Sequence, residues 1–148
     1  MTDKDDVAEA LDEMAGLVVR HLSERGGLSA TALSCLSRLD RDGTVRLTAL
    51  AAAEGVSQPS VSQLAQRLER QDLLRRVADP TDGRASLVEI TGAGRALLAE
   101  RRRIRHDRLA GLLDTLPPED EDTLREALRR ALPVVRRLAE AGTERGFR

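Results

Sequence analysis

The residue pattern predicts a mainly α-helical chain with one small β-wing, long helices flanking a compact centre. Three observations carry this reading. Apolar residues recur at helical spacing over most of the 148 positions. The period drops from 3.6 to 2 over residues 73–77 and 85–90. The hydrophobic content, 41%, is almost all Leu, Ala and Val, with Phe147 the one aromatic residue, and such a composition favours helices over sheets.

The elements follow in order. Val7, Leu11, Met14, Val18 and Leu22 define a first helix, expected to end at Gly26-Gly27. Ser29 is placed to cap a second helix with Leu33, Leu36 and Leu39 inward. Asp42-Gly43 marks a turn, and residues 44–47 alternate as a minimal strand. Thr48 is expected to cap a third helix over 49–54 that stops at Gly55. Ser57 caps a fourth, running to about Gln71. The two period-2 stretches are joined by 78–84, rich in turn formers, as a hairpin with a protruding loop. Thr91 starts a long helix to about Leu116, with Leu97, Leu98, Ile104, Leu109, Leu112 and Leu113 along it. Pro117-Pro118 interrupts it. The last helix starts near Glu119, where four acids suit the positive end of the helix dipole. Its stripe is Leu124, Leu128, Leu132, Val135 and Leu138. Pro133 inside it predicts a kink, and fraying is expected from Gly142. With no repeat or low-complexity linker, residues 1–148 read as one domain.

Formal net charge is −1, so bulk charge does not announce a nucleic-acid partner. The distribution is more informative: acids crowd residues 1–13 and 119–122, whereas 95–108 hold six Arg and two acids. Of 24 basic residues only Lys4 is a lysine. The single cysteine, Cys35, excludes a disulfide framework. The acidic N-terminus lacks an apolar leader, and no 18-residue apolar run exists, so no membrane partner is implied and the chain reads as cytoplasmic.

The third and fourth helices form the informative unit. Ala51, Gly55 and Val61 fall at the offsets a helix-turn-helix needs: a small residue for close crossing, a glycine for a left-handed turn, an apolar residue packing back. Projected at about 100° per residue, Leu64, Ala65 and Leu68 lie within about 60° of Val61 and make a core stripe. Gln63, Gln66 and Arg70 then point away, flanked by Ser60 and Arg67 on one side and Ser62 on the other. Ser57, Gln58 and Pro59 stand at the tip. Gln can bond adenine bidentately and Arg can bond guanine N7 and O6. Ser hydroxyls and free N–H groups at a helix start suit phosphate. These ten positions with Arg84 counted in, Ser57, Gln58, Pro59, Ser60, Ser62, Gln63, Gln66, Arg67, Arg70 and Arg84, are the candidate DNA contacts. Arg84 qualifies because an Arg at the tip of a hairpin beside such a unit can enter a minor groove. Asp82 is placed to orient it through a charge-assisted bond.

Arg46-Leu47-Thr48-Ala49-Leu50-Ala51, then Glu54-Gly55-Val56-Ser57-Gln58-Pro59-Ser60, resembles the MarR (multiple antibiotic resistance regulator) family. So do Arg67-Leu68-Glu69-Arg70-Gln71-Asp72-Leu73, the wing Asp79-Pro80-Thr81-Asp82-Gly83-Arg84, and Ile90-Thr91-Gly92-Ala93-Gly94. The resemblance implies a winged helix-turn-helix (28–95) flanked by dimerisation helices (5–25 and 96–141). It also implies a homodimer on a palindromic operator in double-stranded DNA, usually a repressor, and a small-molecule effector bound between the dimerisation helices and the DNA-binding lobe. One departure is Asp72, where the family often has Gly. Another is the lack of Tyr and Trp for stacking an aromatic ligand. The terminal apolar stripes independently favour pairing with a twofold mate. The Arg cluster 101–108 reads equally as phosphate contacts, as an intersubunit bridge, or as a solvated face with pairs such as Glu100 with Arg103.

Other constellations are sparse. His21, Cys35 and His106 are candidate ligand-pocket residues, but their spacing makes no metal site. No cofactor loop, nucleophile set or carboxylate pair stands out, so no catalytic residue and no cofactor are expected, and the chain reads as a non-enzyme. Two alternatives stand beside the operator-binding regulator: a dimeric architectural or protein-interaction module without a specific operator, and a regulator responding to Cys35 oxidation.

Overall fold

The computed structural model describes residues 3–22 and 27–144. Six helices and three short strands follow the chain as α1 (Asp3–Leu22), α2 (Ala30–Asp42), β1 (Val45–Arg46), α3 (Leu47–Glu54), α4 (Gln58–Arg70), β2 (Leu74–Ala78), β3 (Ser86–Ile90), α5 (Gly92–Leu113) and α6 (Pro118–Glu144). The order of elements is as read from the sequence. Gly26 of the expected α1 stop, and Phe147, lie outside the described residues.

Local chemistry explains most boundaries. Asp3, Asp5 and Asp6 open α1, and Arg20 and His21 close it, charges that complement the helix dipole. Ser29 caps α2 by accepting the Ala32 N–H at 3.2 Å. Thr91 caps α5 by accepting from Gly94 N–H at 3.0 Å. Thr48 does not cap α3. That helix starts one residue earlier, at Leu47, and its N-cap is Arg46, whose side chain makes no capping bond. Pro133 lies within α6, and the helix continues past it and past Gly142 to Glu144.

The strands form one antiparallel sheet in the order β1-β3-β2. Val45 faces Val88 and Arg46 faces Leu87 on one edge; Leu74 faces Ile90 and Ala78 faces Ser86 on the other. The minimal strand expected over 44–47 is therefore the third member of the wing sheet.

The core is one aliphatic cluster. It draws Ala32, Cys35, Leu36 and Leu39 from α2, Leu50 and Ala51 from α3, and Val61, Leu64, Ala65 and Leu68 from α4, closed by Leu73, Leu74, Val88 and Ile90. Leu36 and Leu39 are buried as expected, and Leu33 is half-buried. The joint between the hairpin and α5 is tight: a Cβ on Gly94 would stand 2.3 Å from the Leu73 carbonyl oxygen and 2.6 Å from Ile90 Cγ1. Only glycine fits there.

The terminal helices differ sharply from this centre. No described side chain of α6 is buried. Leu124, Leu128, Leu132, Val135 and Leu138 stand exposed on it, as do Val7, Met14, Leu17 and Val18 on α1. No helix is long and apolar enough to cross a membrane.

Candidate nucleic-acid interface

The turn between α3 and α4 sets the geometry. Gly55 adopts a left-handed conformation (φ 65), which an L side chain resists. Its N–H and that of Val56 return to Ala52 and Ala51 carbonyls at 3.3 and 3.1 Å, closing α3 and redirecting the chain. Ser57 then caps α4, accepting the Ser60 N–H at 3.3 Å.

Helical phase divides α4 as the sequence predicts. Val61, Leu64, Ala65 and Leu68 are buried. Ser57, Gln58, Pro59, Ser60, Gln63, Gln66, Arg67 and Arg70 are exposed, and Ser62 is half-buried. The structure therefore brings nine of the ten candidate DNA contacts onto one helix surface. At the tip, the Ser57 and Ser60 hydroxyls are 2.8 Å apart. One hydroxyl proton closes that contact, which leaves the other to donate outward, as a phosphate oxygen requires. Arg70 Nε donates to the Gln66 carbonyl at 3.3 Å. Glu69, the one acid on this helix, faces Arg76 of β2 at 3.4 Å, so its charge is countered at the helix flank.

The far end of α4 closes unusually. Asp72 has φ 58, the only positive-φ non-glycine residue among those described. Leu73 N–H reaches the Leu68 carbonyl at 2.9 Å. The Thr91 hydroxyl donates to the Asp72 carbonyl while accepting from Gly94 N–H. The end of α4 and the start of α5 thus share one hydroxyl. Asp72 takes the left-handed conformation despite its side chain, so the turn keeps the geometry that a glycine would give.

Arg84 is exposed between β2 and β3. The expected carboxylate–guanidinium bond from Asp82 is not what forms: Asp82 Oδ1 accepts the Arg84 backbone N–H at 3.0 Å. Asp82 therefore shapes the loop backbone and leaves the guanidinium to solvent.

Asp79 is the residue that sequence reasoning missed. Its side chain is 5% exposed. Oδ1 accepts from Thr81 N–H at 2.9 Å, Thr81 Oγ1 at 2.7 Å and Asp82 N–H at 3.3 Å. Oδ2 accepts from Arg46 Nη2 at 3.0 Å. The Thr81 bonds above all, with Arg46 adding attraction, hold the carboxyl below the ordinary aspartate range. The turn-forming half of this role was available in Asp79-Pro80-Thr81-Asp82; the Arg46 half was not, because the partner is 33 positions away.

None of the three candidate pocket residues lines the two clefts that flank α2 and α5. Cys35 is 1% exposed in the core, with its thiol pushed up to about 11 by burial, then by Glu54. His21 and His106 are exposed. Two clefts beside them are lined by other residues. One, about 360 Å³ between α2 and α5, has Leu33, Ser37, Asp40, Arg101, Arg102 and Arg105 on its walls. The other, about 320 Å³, adds Val18, Leu22 and Leu28 and shares Leu33, Arg101 and Arg105. Within the Arg cluster, Arg103 pairs with Glu100 at 2.7 Å and with Asp107 at 2.8 Å, so that member belongs to a solvated helix face. Among the described residues no group of His, Cys, Asp and Glu could hold a metal ion.

Comparison with known proteins agrees with this geometry. The family model described as "MarR family" matches residues 28–86. An uncharacterized HTH-type transcriptional regulator of Mycobacterium bovis is 34% identical over 108 residues, 73% of this chain and 76% of that protein. The HTH-type regulator YxaD of Bacillus subtilis is 31% identical over 105 residues, 71% of this chain and 73% of its own. Among solved structures, a transcriptional regulator of Thermotoga maritima superposes with a TM-score of 0.76 at 22% identity, covering 92% of this chain and 98% of that one. A Staphylococcus aureus MepR variant bound to an oligodeoxyribonucleotide gives 0.64 at 22%, covering 91% and 99%. With the helix-turn-helix, its exposed polar face and the adjoining wing in place, the chain belongs to the MarR family of DNA-binding transcriptional regulators.

Proposed function

We propose that this protein works as a homodimeric repressor that reads a palindromic operator, with α4 in the major groove and Arg84 in the flanking minor groove. The observation that carries the reading is the split of α4 into a wholly buried aliphatic stripe and an exposed Ser, Gln and Arg face. Gln63, Gln66, Arg67 and Arg70 supply the base-edge donors and acceptors. Ser57, Gln58, Pro59 and Ser60 meet the phosphates at the helix start, and Ser62 lines the edge of the contact. The MepR relative bound to an oligodeoxyribonucleotide supports the same use of this fold.

The exposed apolar faces support the dimer. α1, α5 and α6 enclose a groove of about 780 Å³ lined by Leu11, Met14, Leu113, Leu124, Leu128 and Leu132. An apolar surface of that continuity is removed from water by a second copy. Two α4 helices about 34 Å apart would then meet successive major grooves. An effector that weakens DNA binding fits the clefts between α2 and α5. Their Arg side chains and aliphatic walls suit an anionic ligand with an apolar body, and the lining has no aromatic ring to stack on one.

Selection of bound sequences from random duplex DNA, followed by titration over a range of salt, tests this. Enrichment of an inverted repeat supports it. Binding of every duplex with equal affinity would instead favour an architectural module.

A further inference from the structure

We propose that Arg46 is a positioning residue for the wing, holding Arg84 at its place on DNA through Asp79. This rests on the reading of Arg84 as a minor-groove contact. The sheet ladder ties the hairpin to the body only at Val45–Val88 and Arg46–Leu87. Beyond that point the hairpin leaves the body and carries residues 78–86 outward. Across this gap Arg46 Nη2 donates to Asp79 Oδ2 at 3.0 Å. The other oxygen of the same carboxylate gathers Thr81 N–H, Thr81 Oγ1 and Asp82 N–H. Asp82 in turn accepts the Arg84 N–H at 3.0 Å. An unbroken chain of bonds therefore runs from the first turn of the helix-turn-helix to the backbone of the wing Arg.

Two features mark the pair as positioning. Arg46 stands at the N-cap of α3, where a donor-only guanidinium cannot serve the helix N–H groups, and its Nη2 donates to the wing carboxylate instead. Asp79 is nearly fully buried, so its remaining lone pairs have no water to turn to and the geometry is held. Arg46 itself is 51% exposed, which leaves direct phosphate contact as the rival role.

A double-mutant cycle separates the two roles, using the wild-type protein's best duplex from the random selection as probe. If Arg46 acts through the wing, Arg46→Gln weakens binding about tenfold in the wild-type background but less than about twofold in Arg84→Ala, because coupled residues are not additive. Arg46→Gln then shows the salt slope of Arg84→Ala, with no further change in the double variant, and Arg46→Lys, which keeps the positive charge and N–H donors, recovers most of the affinity. Equal losses in both backgrounds, with the salt slope reduced by about one, would make Arg46 a phosphate contact and overturn the proposal. Equal losses with a lowered melting temperature would make it a general stabilising residue and overturn it as well. Unchanged affinity in Arg84→Ala alone would remove the wing reading and this proposal with it, while leaving α4 untouched.

Discussion

At the scale of single residues, the proposed function assigns the specificity to the exposed face of α4. Gln63→Ala should weaken binding to the selected duplex by about 1–3 kcal/mol and relax the preference at one base pair, whereas loss of a phosphate contact at Ser60→Ala should weaken all sequences alike. Titration against a panel of single-base variants reads the difference. Asp79 gives a pH signature. Its carboxyl is held below the ordinary aspartate range, so its stabilisation is fully present above the unfolded pKa, about 3.9, and is lost as pH falls through the folded value. Melting temperature should therefore decline on acidification below about pH 4, and the decline should be shallower in Asp79→Asn. Cys35 is buried with its thiol raised to about 11, so thiolate is scarce near neutrality and the thiol is shielded. Peroxide treatment should leave DNA affinity unchanged; a loss reversed by reductant would restore the redox reading. The α4 residues were legible because burial on an isolated helix follows its 3.6 period. The Arg46–Asp79 pair was not, since nothing local to either residue names its partner. Asp82 shows a finer limit: its proximity to Arg84 was readable, but that its carboxylate would take the backbone N–H was a matter of loop conformation.

At the scale of elements, the junctions around α4 decide whether the reading surface is held rigidly. Asp72 sits at φ 58, a conformation that costs an L residue roughly 1–2 kcal/mol and Asp somewhat less. Asp72→Gly should relieve part of this and stabilise the protein by about 0.5–1 kcal/mol after the entropy cost of glycine, read as a raised melting temperature with unchanged DNA affinity. A lowered melting temperature would mean that the Asp72 side chain contributes something the backbone account omits. Gly94→Ala has the opposite sign: its Cβ would strike the Leu73 carbonyl at 2.3 Å, backbone that cannot yield without breaking the Thr91 link. Element order and caps at Ser29, Ser57 and Thr91 were readable from side chains that bond their own helix. The start of α3 was not. Thr48 looked like a cap by residue type, but β1 pairing at Arg46 with Leu87 ends the extended chain one step sooner, and the helix begins there. The same long-range pairing turned an isolated alternating stretch into the third strand of the wing.

At the scale of the whole molecule, the contrast between a closed centre and open terminal helices points to assembly. The buried members of the core cluster all lie within residues 32–90, with Leu28, Leu97 and Leu98 packed against them, whereas no described side chain of α6 is buried. Charged residues placed in the apolar groove, Leu128→Glu with Leu132→Glu, should convert a dimer to a monomer in sedimentation equilibrium at micromolar concentration. DNA affinity should fall by more than about a hundredfold, since one helix-turn-helix alone loses the second half-site. This level was partly legible: stripes on the terminal helices announced uncovered surface, but which elements enclose the groove depends on how α1, α5 and α6 converge in space. The central claim is that two copies read two half-sites through α4. The most direct test compares the selected palindrome with a duplex in which one half-site has been scrambled, at fixed salt, with stoichiometry determined on both. The account predicts two protomers on the palindrome and a loss of affinity of about a hundredfold or more when one half-site is scrambled. Equal affinity for the two duplexes, or one protomer bound to each, would contradict it.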